Sequence, residues 1–148
     1  GLLGVDANVT KIRKTGRCAC GAISFSVMAP KTYGACDCDM CRRWTGGVWM
    51  GVVAHEEPEI TGTPQIWTLS RMAERAFCPE CGSSIWHRPK VGKTPTLGQG
   101  LFDDQAGWTR SREIFVDNKP DHYAFGAPAK ALTGAATIIA YLLGRLPK

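Results

Sequence analysis

The sequence predicts a mainly β fold that is stabilised by zinc. Its 148 residues include 17 glycines and 9 prolines, which favour short strands and many turns over long helices. Ile23, Phe25 and Val27 alternate with small polar residues, the period-two pattern of a half-buried strand. Seven cysteines, grouped at spacings suited to metal ligands, are the third observation.

Further strands are expected where apolar residues lie between turn-forming glycines and prolines. Residues 48–54 form a continuous apolar run, which indicates a strand buried on both faces. The other predicted strands lie at residues 59–61, 65–70, 73–77, 84–87, 96–101 and 113–116. A chain of 148 residues is long enough to bury a single core.

The C-terminal segment has a different pattern. Its apolar residues recur at the spacing of one helix face: Leu132, Ala135, Ala136, Ile139, Leu142, Leu143 and Leu146. We therefore divide the chain into a zinc-binding β domain at residues 1–128 and an amphipathic helix at residues 129–148. The helix is expected to pack on this domain or to form a homodimer contact. It is shorter than the ~20 apolar residues that cross a bilayer, so we expect no membrane association.

The charge and the first residues of the sequence limit the partners and the cellular location that we expect. The formal charge of +5 falls to about +2 once seven thiolates and two zinc ions are counted. The basic residues are also scattered, so nucleic acid is not expected as a partner. No secretory signal pattern opens the sequence, and we expect a cytoplasmic location, where clustered cysteines more often bind metal than form disulfides.

The cysteines divide into a group of four and a group of three. A C-x-C pair on an extended segment places both sulfurs on one face, and a C-P-x-C-G turn can present two more. Four thiolates close a tetrahedral structural site, whereas three leave a position for water or substrate. We predict a structural zinc at Cys18, Cys20, Cys78 and Cys81, and a second, open zinc site at Cys36, Cys38 and Cys41.

Other interpretations of the cysteines remain open at this point. Six of them could form disulfides, Cys78 and Cys81 could be a redox pair, or one zinc could bind while three thiols stay idle. One of the isolated histidines, His55, His87 or His122, could complete the second site.

Four segments together resemble the glutathione-dependent formaldehyde-activating enzyme (GFA) family, also called centromere protein V-like. They lie at residues 16–25, 36–43, 77–85 and 100–104 and contain all seven cysteines. The resemblance implies a β-tent of antiparallel sheets around a four-cysteine zinc, with a three-cysteine zinc in a neighbouring cleft. It also implies a carbon–sulfur lyase that adds the thiol of glutathione to formaldehyde, giving S-hydroxymethylglutathione. Members often have a histidine at the position of Asp37.

The expected chemistry follows from the open site. Zinc at the three cysteines would bind an incoming thiol and lower its pKa, and the resulting thiolate would attack a small aldehyde. Arg42 and Arg43 are candidates to bind substrate carboxylates or to balance the anionic cluster, and Trp44 could line the ligand pocket. Asp37 or Asp39 could relay a proton, although a solvated loop position is the expectation for each. The alternative is a non-catalytic zinc module or thiol carrier that binds a protein, nucleic acid or glutathione.

Overall fold

The regular structure is mainly β. The computed structural model describes residues 12–68, 70–91, 94–127 and 129–146. The strands of this part of the chain are β1 (Ile12–Arg17), β2 (Ser24–Ala29), β3 (Thr32–Cys36), β4 (Trp49–Val53), β5 (Glu59–Thr61), β6 (Gln65–Trp67), β7 (Ala73–Phe77), β8 (Ser84–Pro89), β9 (Thr96–Gly98), β10 (Thr109–Ile114) and β11 (Lys130–Leu132). The helices are α1 (Asp39–Thr45), α2 (Gly134–Leu142) and two 3-10 turns, Gln99–Leu101 and Val116–Asn118. The predicted mainly β class with a C-terminal helix is confirmed.

The described residues divide into two compact units, each of which contains one cysteine group. The four-cysteine unit comprises residues 12–31 and Gly51–Gly107. The three-cysteine unit comprises Thr32–Met50 and residues 108–146.

The four-cysteine unit consists of antiparallel strands. Strands β1, β2 and β5 form one three-stranded sheet. In a second sheet, the last three residues of β4 pair with β9, and β8, β7 and β6 follow in that order. The alternation predicted around Phe25 and Val27 is confirmed in β2. These two side chains are buried, whereas Ser24, Ser26 and Met28 are half-buried. Ile85, Leu97 and Val52 complete a core from which water is excluded.

The three-cysteine unit departs from the antiparallel arrangement that the resemblance implied. Strand β10 runs parallel to β3 on one side and parallel to β11 on the other. The register places Ile114 opposite Cys36, at the point where β3 ends. The end of β3 therefore carries the first cysteine of this group.

Helix α1 follows directly and was not predicted. Its N-cap is Cys38, whose sulfur accepts a hydrogen bond from the backbone N–H of Cys41, and Asp39 lies in the first turn. Gly46 ends the helix in the left-handed region at φ 86°. The central cysteines thus lie at a strand end and a helix start rather than on an extended segment.

The C-terminal helix is shorter than predicted. It begins at Gly134 rather than Ala129, because Lys130–Leu132 pairs with β10, and Thr133 caps it by accepting from the N–H of Ala136. The helix contacts β11 and the Val116–Asn118 turn. Ile139, Leu142 and Leu143 of the predicted stripe are exposed rather than buried against this unit, and the neighbouring Ile138 is exposed as well. A homodimer contact stays a prediction, as does the proposed domain boundary. No helix in the described ranges is long and apolar enough to cross a membrane.

Candidate metal centres

The four-cysteine group is built by two turns, each closed by a backbone hydrogen bond from a glycine to the first cysteine of the pair. In the first turn the N–H of Gly21 donates to the carbonyl of Cys18 (3.1 Å), and in the second the N–H of Gly82 donates to that of Cys78 (2.8 Å). Both glycines have left-handed φ values, 82° and 78°, which other residues adopt only with strain. The glycine after each cysteine pair therefore lets the chain turn around its sulfurs.

The sulfur positions fit a tetrahedral zinc. All four Sγ atoms of this group lie within 4.8 Å of one another. The Cys18–Cys20 and Cys20–Cys78 sulfurs are 3.6 and 3.8 Å apart. A tetrahedral ion with Zn–S bonds of about 2.3 Å requires neighbouring sulfurs about 3.8 Å apart, whereas a disulfide requires about 2.05 Å. All seven cysteines are free, so the disulfide interpretation is not supported.

Donors around this group favour thiolate ligands. The N–H of Ile23 donates to the sulfur of Cys18 (3.3 Å). The Ser83 hydroxyl lies 3.2 Å from the sulfur of Cys81, and its hydrogen bond lowers the pKa of that thiol to about 5. These contacts are of the kind that orients zinc ligands and stabilises their charge.

The three-cysteine group is a separate cluster with its own surroundings. The Sγ atoms of Cys36, Cys38 and Cys41 lie within 4.8 Å of one another, and the grouping contains no fourth ligand from the described residues. Cys36 and Cys41 are buried and Cys38 is half-buried. Hydrogen bonds with the two neighbouring thiols, and then burial, raise the pKa of Cys36. Three thiols that share protons in this way can instead bind a dication, which displaces the protons.

Apolar side chains pack against this cluster. Trp49 is buried with Cys36 and Cys41, and Trp44, Ile114 and Phe115 cover it further. The Trp44 and Trp49 rings are 5.4 Å apart in a tilted arrangement. Trp44, predicted as a pocket residue, therefore packs against the buried cluster that contains Cys36, Cys41 and Trp49.

The two predicted substrate arginines occupy different positions. Arg42 donates from Nε to the backbone carbonyl of Asp37 (3.0 Å) and from a terminal nitrogen to Asp39 (3.3 Å). Arg43 donates from Nε to the other oxygen of Asp39 (3.0 Å), and its side chain is 76% exposed. Arg42 therefore stabilises the loop that contains Asp37 and Asp39, whereas the charge of Arg43 faces solvent.

The prediction that Asp37 is solvated is wrong. Asp37 is 0% exposed, and its Oδ1 accepts a 2.6 Å hydrogen bond from the Tyr123 hydroxyl. Burial, followed by the contact with Asp37, raises the pKa of Glu113 to about 7. Asp39, in contrast, is exposed as expected. No sequence signal linked Tyr123 or Glu113 to this loop, because they lie 86 and 76 residues away along the chain.

The histidine alternative is not supported among the described residues. The two groups able to hold a metal contain cysteines alone, and none of His55, His87 and His122 belongs to either. The predicted division of seven cysteines into four and three is the division that the structure shows.

Comparison with known proteins places these features in a family. The family model described as glutathione-dependent formaldehyde-activating enzyme matches residues 13–118. The chain belongs to the GFA family. The match includes both cysteine groups of this GFA member and ends before β11 and α2.

Two relatives and one solved structure are similar to this chain. A Schizosaccharomyces pombe protein named as an uncharacterized lyase is 27% identical over 122 residues, covering 80% of this chain and 89% of its own. A Halomonas elongata protein, provisionally named a glutathione-dependent formaldehyde-activating enzyme, is 32% identical over 120 residues, covering 72% and 76%. The crystal structure of a Rhodobacter sphaeroides protein shares the fold, with a TM-score of 0.53 and 20% identity over 66% of this chain and 99% of its own.

Proposed function

We propose that this GFA protein is a zinc-dependent carbon–sulfur lyase that adds the thiol of glutathione to formaldehyde or a related small aldehyde. The observation that carries the proposal is the contrast between the two cysteine groups. One brings four sulfurs together and the other three. Four thiolates saturate a tetrahedral zinc, whereas three leave one coordination position for an incoming ligand. The family and the names of the relatives support glutathione and formaldehyde as the substrates.

The bound metal would supply one chemical function at the three cysteines, which is to lower the pKa of a thiol that joins them. The reaction itself is an addition. The thiol sulfur forms a bond to the aldehyde carbon, the carbonyl π electrons move to oxygen, and that oxygen takes a proton while the thiol loses one. No oxidant or reductant is required.

Side chains near the three cysteines would surround the reacting groups and bind the substrate. Trp49 is buried with Cys36 and Cys41, and Trp44 packs against this group, so apolar rings lie beside the proposed reaction site. Arg43 is the better candidate of the two arginines for a substrate carboxylate, because Arg42 is bonded to the backbone of Asp37. An exposed guanidinium can form a bidentate pair with a carboxylate of glutathione.

The test must separate catalysis from the spontaneous addition. Exchange spectroscopy by NMR measures how fast free glutathione and its formaldehyde adduct interconvert at equilibrium. The wild-type protein should accelerate this exchange, Cys38→Ser should abolish the acceleration, and Met40→Leu, a control in the same helix, should retain it. Acceleration that survives in Cys38→Ser would contradict the open-site mechanism. Glutathione binding without any acceleration by the wild type would exclude a lyase and favour the thiol-carrier alternative.

A further inference from the structure

A buried arginine lies beside the three-cysteine group, and the strand register explains how it gets there. In the β10–β3 pair, Arg112 is opposite Gly34 and Ile114 is opposite Cys36. Alternate residues of a strand share a face, so the side of the sheet that carries Cys36 also carries Gly34 and its partner Arg112.

A bulge in β10 sets this register. Arg110 pairs with Tyr33 and Arg112 with Gly34, so two steps along β10 correspond to one step along β3. Without the extra residue, Arg112 would lie opposite Ala35 and on the other face. The irregularity therefore directs the side chain of Arg112 to the face of Cys36.

Gly34 provides the space that this side chain occupies. A Cβ atom at position 34 would lie 2.8 Å from Nε of Arg112 and 3.0 Å from its Cγ and Cζ. Real Cβ atoms essentially never approach another atom as closely as 2.8 Å, so a larger residue at position 34 would displace the guanidinium. The requirement for glycine at position 34 is one of space.

The arginine remains a cation in this setting. Arg112 is 5% exposed and Cys36 is 8% exposed. A guanidinium keeps its proton in proteins, so this buried side chain carries a positive charge. Among the described lysines and arginines of the three-cysteine unit, Arg112 alone is buried. A buried charge needs compensation from an opposite charge nearby.

We propose that Arg112 is a positioning residue that balances the negative charge of the metal-loaded three-cysteine site. This inference rests on the proposed function, because it requires a metal at Cys36, Cys38 and Cys41. Three thiolates around a dication carry a net charge of −1, and a fourth thiolate makes it −2. The buried Asp37 carboxyl group, which lies between two of these cysteines, adds to the negative field. A fixed guanidinium against Cys36 offsets this charge at the metal and at the incoming thiol.

Metal affinity, measured on the whole protein, tests the assignment. Chelator competition with Zn²⁺ gives the affinity of each site, and Co²⁺ substitution reports the ligand field of the weaker one. Arg112→Gln should lower the metal affinity of the three-cysteine site about 10- to 100-fold, which is the usual effect of losing a residue that contacts a metal ligand. The first metal, at the four-cysteine site, should be unaffected. Arg112→Lys should restore most of the affinity because it keeps the charge.

Two further variants distinguish charge placement from folding. Gly34→Ala keeps every charge but pushes the guanidinium aside, and it should weaken the second metal as Arg112→Gln does. Arg110→Gln removes a cation from the same strand, one that contacts Phe125 instead, and should leave both affinities unchanged. Equal second-site affinity in wild type, Arg112→Gln and Gly34→Ala would overturn the inference, as would folded Arg112→Lys binding no better than Arg112→Gln. A wild-type protein that binds one metal only would instead contradict the proposed function.

Discussion

The hydroxyl of Tyr123 donates a 2.6 Å hydrogen bond to Oδ1 of Asp37, joining the loop between two cysteines to a residue 86 positions away. Burial and then the contact with Asp37 raise the pKa of Tyr123, so the phenol stays protonated and can donate. The other carboxylate oxygen, Oδ2, is buried, and Asp37 also contacts the carboxyl group of Glu113, which can donate a hydrogen bond only when it is protonated. The Tyr123 bond is therefore important for keeping Asp37 at this position.

Tyr123→Phe should destabilise the protein by about 1.5–3 kcal/mol, the range for hydrogen bonds to charged groups. Urea unfolding measures the loss. Tyr33→Phe in the same unit is the control, since the hydrogen bond from Ser111 reaches the backbone of Tyr33 and not its ring. Equal losses in the two variants would show that the bond to Asp37 contributes nothing specific.

Gly16→Ala should destabilise the four-cysteine unit by about 1–3 kcal/mol, as overpacking usually does. Its Cβ would lie 2.4 Å from the ring of Phe25 and 2.6 Å from the carbonyl oxygen of Leu101. Gly100→Ala is the matched control, because a Cβ there meets no atom within 4 Å. The unfolding free energies of the two variants in urea should differ, and a Gly16→Ala protein as stable as Gly100→Ala would contradict the close packing at β1.

The buried Lys14 should make stability depend on pH. Burial, and secondarily the charge of Lys31, lower the pKa of Lys14 below its ordinary 10.5. The unfolded chain then holds this proton more tightly, so the contribution of Lys14 to stability is present above pH 10.5 and is lost as the pH falls through the lowered value. The difference in unfolding free energy between wild type and Lys14→Met should therefore grow in favour of wild type as the pH rises from neutral through 10.5. Parallel stability curves for the two proteins would count against this assignment.

The two cysteine groups should differ in their effect on folding. Cys78→Ser removes a ligand from a site that joins two distant turns, and structural zinc can contribute on the order of 10 kcal/mol. We expect this variant to lose its cooperative thermal transition. Cys38→Ser changes a half-buried helix cap and should melt only slightly below the wild type. Similar melting of both variants would mean that the sites are not divided into structural and functional roles.

Local spacing was sufficient to predict the cysteine groups and most strands. The bounds of β5 and β7 match the prediction, since each short run ends at a residue that favours a turn or a metal ligand. The helix predicted at the C-terminus was too long. Leu132 fits the helical period, but its backbone pairs with that of Ile114 in a strand. Tertiary pairing outweighed local periodicity there.

The surroundings of the second site could not be predicted in the same way. Asp37 looked like a loop residue, and its burial depends on Tyr123, which no local pattern connects to it. Arg112 lies on the same face of the sheet as Cys36 because of a parallel strand pair and a bulge, neither of which a local pattern reveals. Helix α1 has seven residues, too few for a periodic signal, and its cap is a cysteine rather than a usual capping residue.

Metal quantification on protein purified without added zinc tests the central claim most directly. The account predicts two zinc ions per wild-type chain and one per Cys38→Ser chain, with the remaining ion resistant to mild chelation. A single zinc in the wild type, or two in Cys38→Ser, would contradict it.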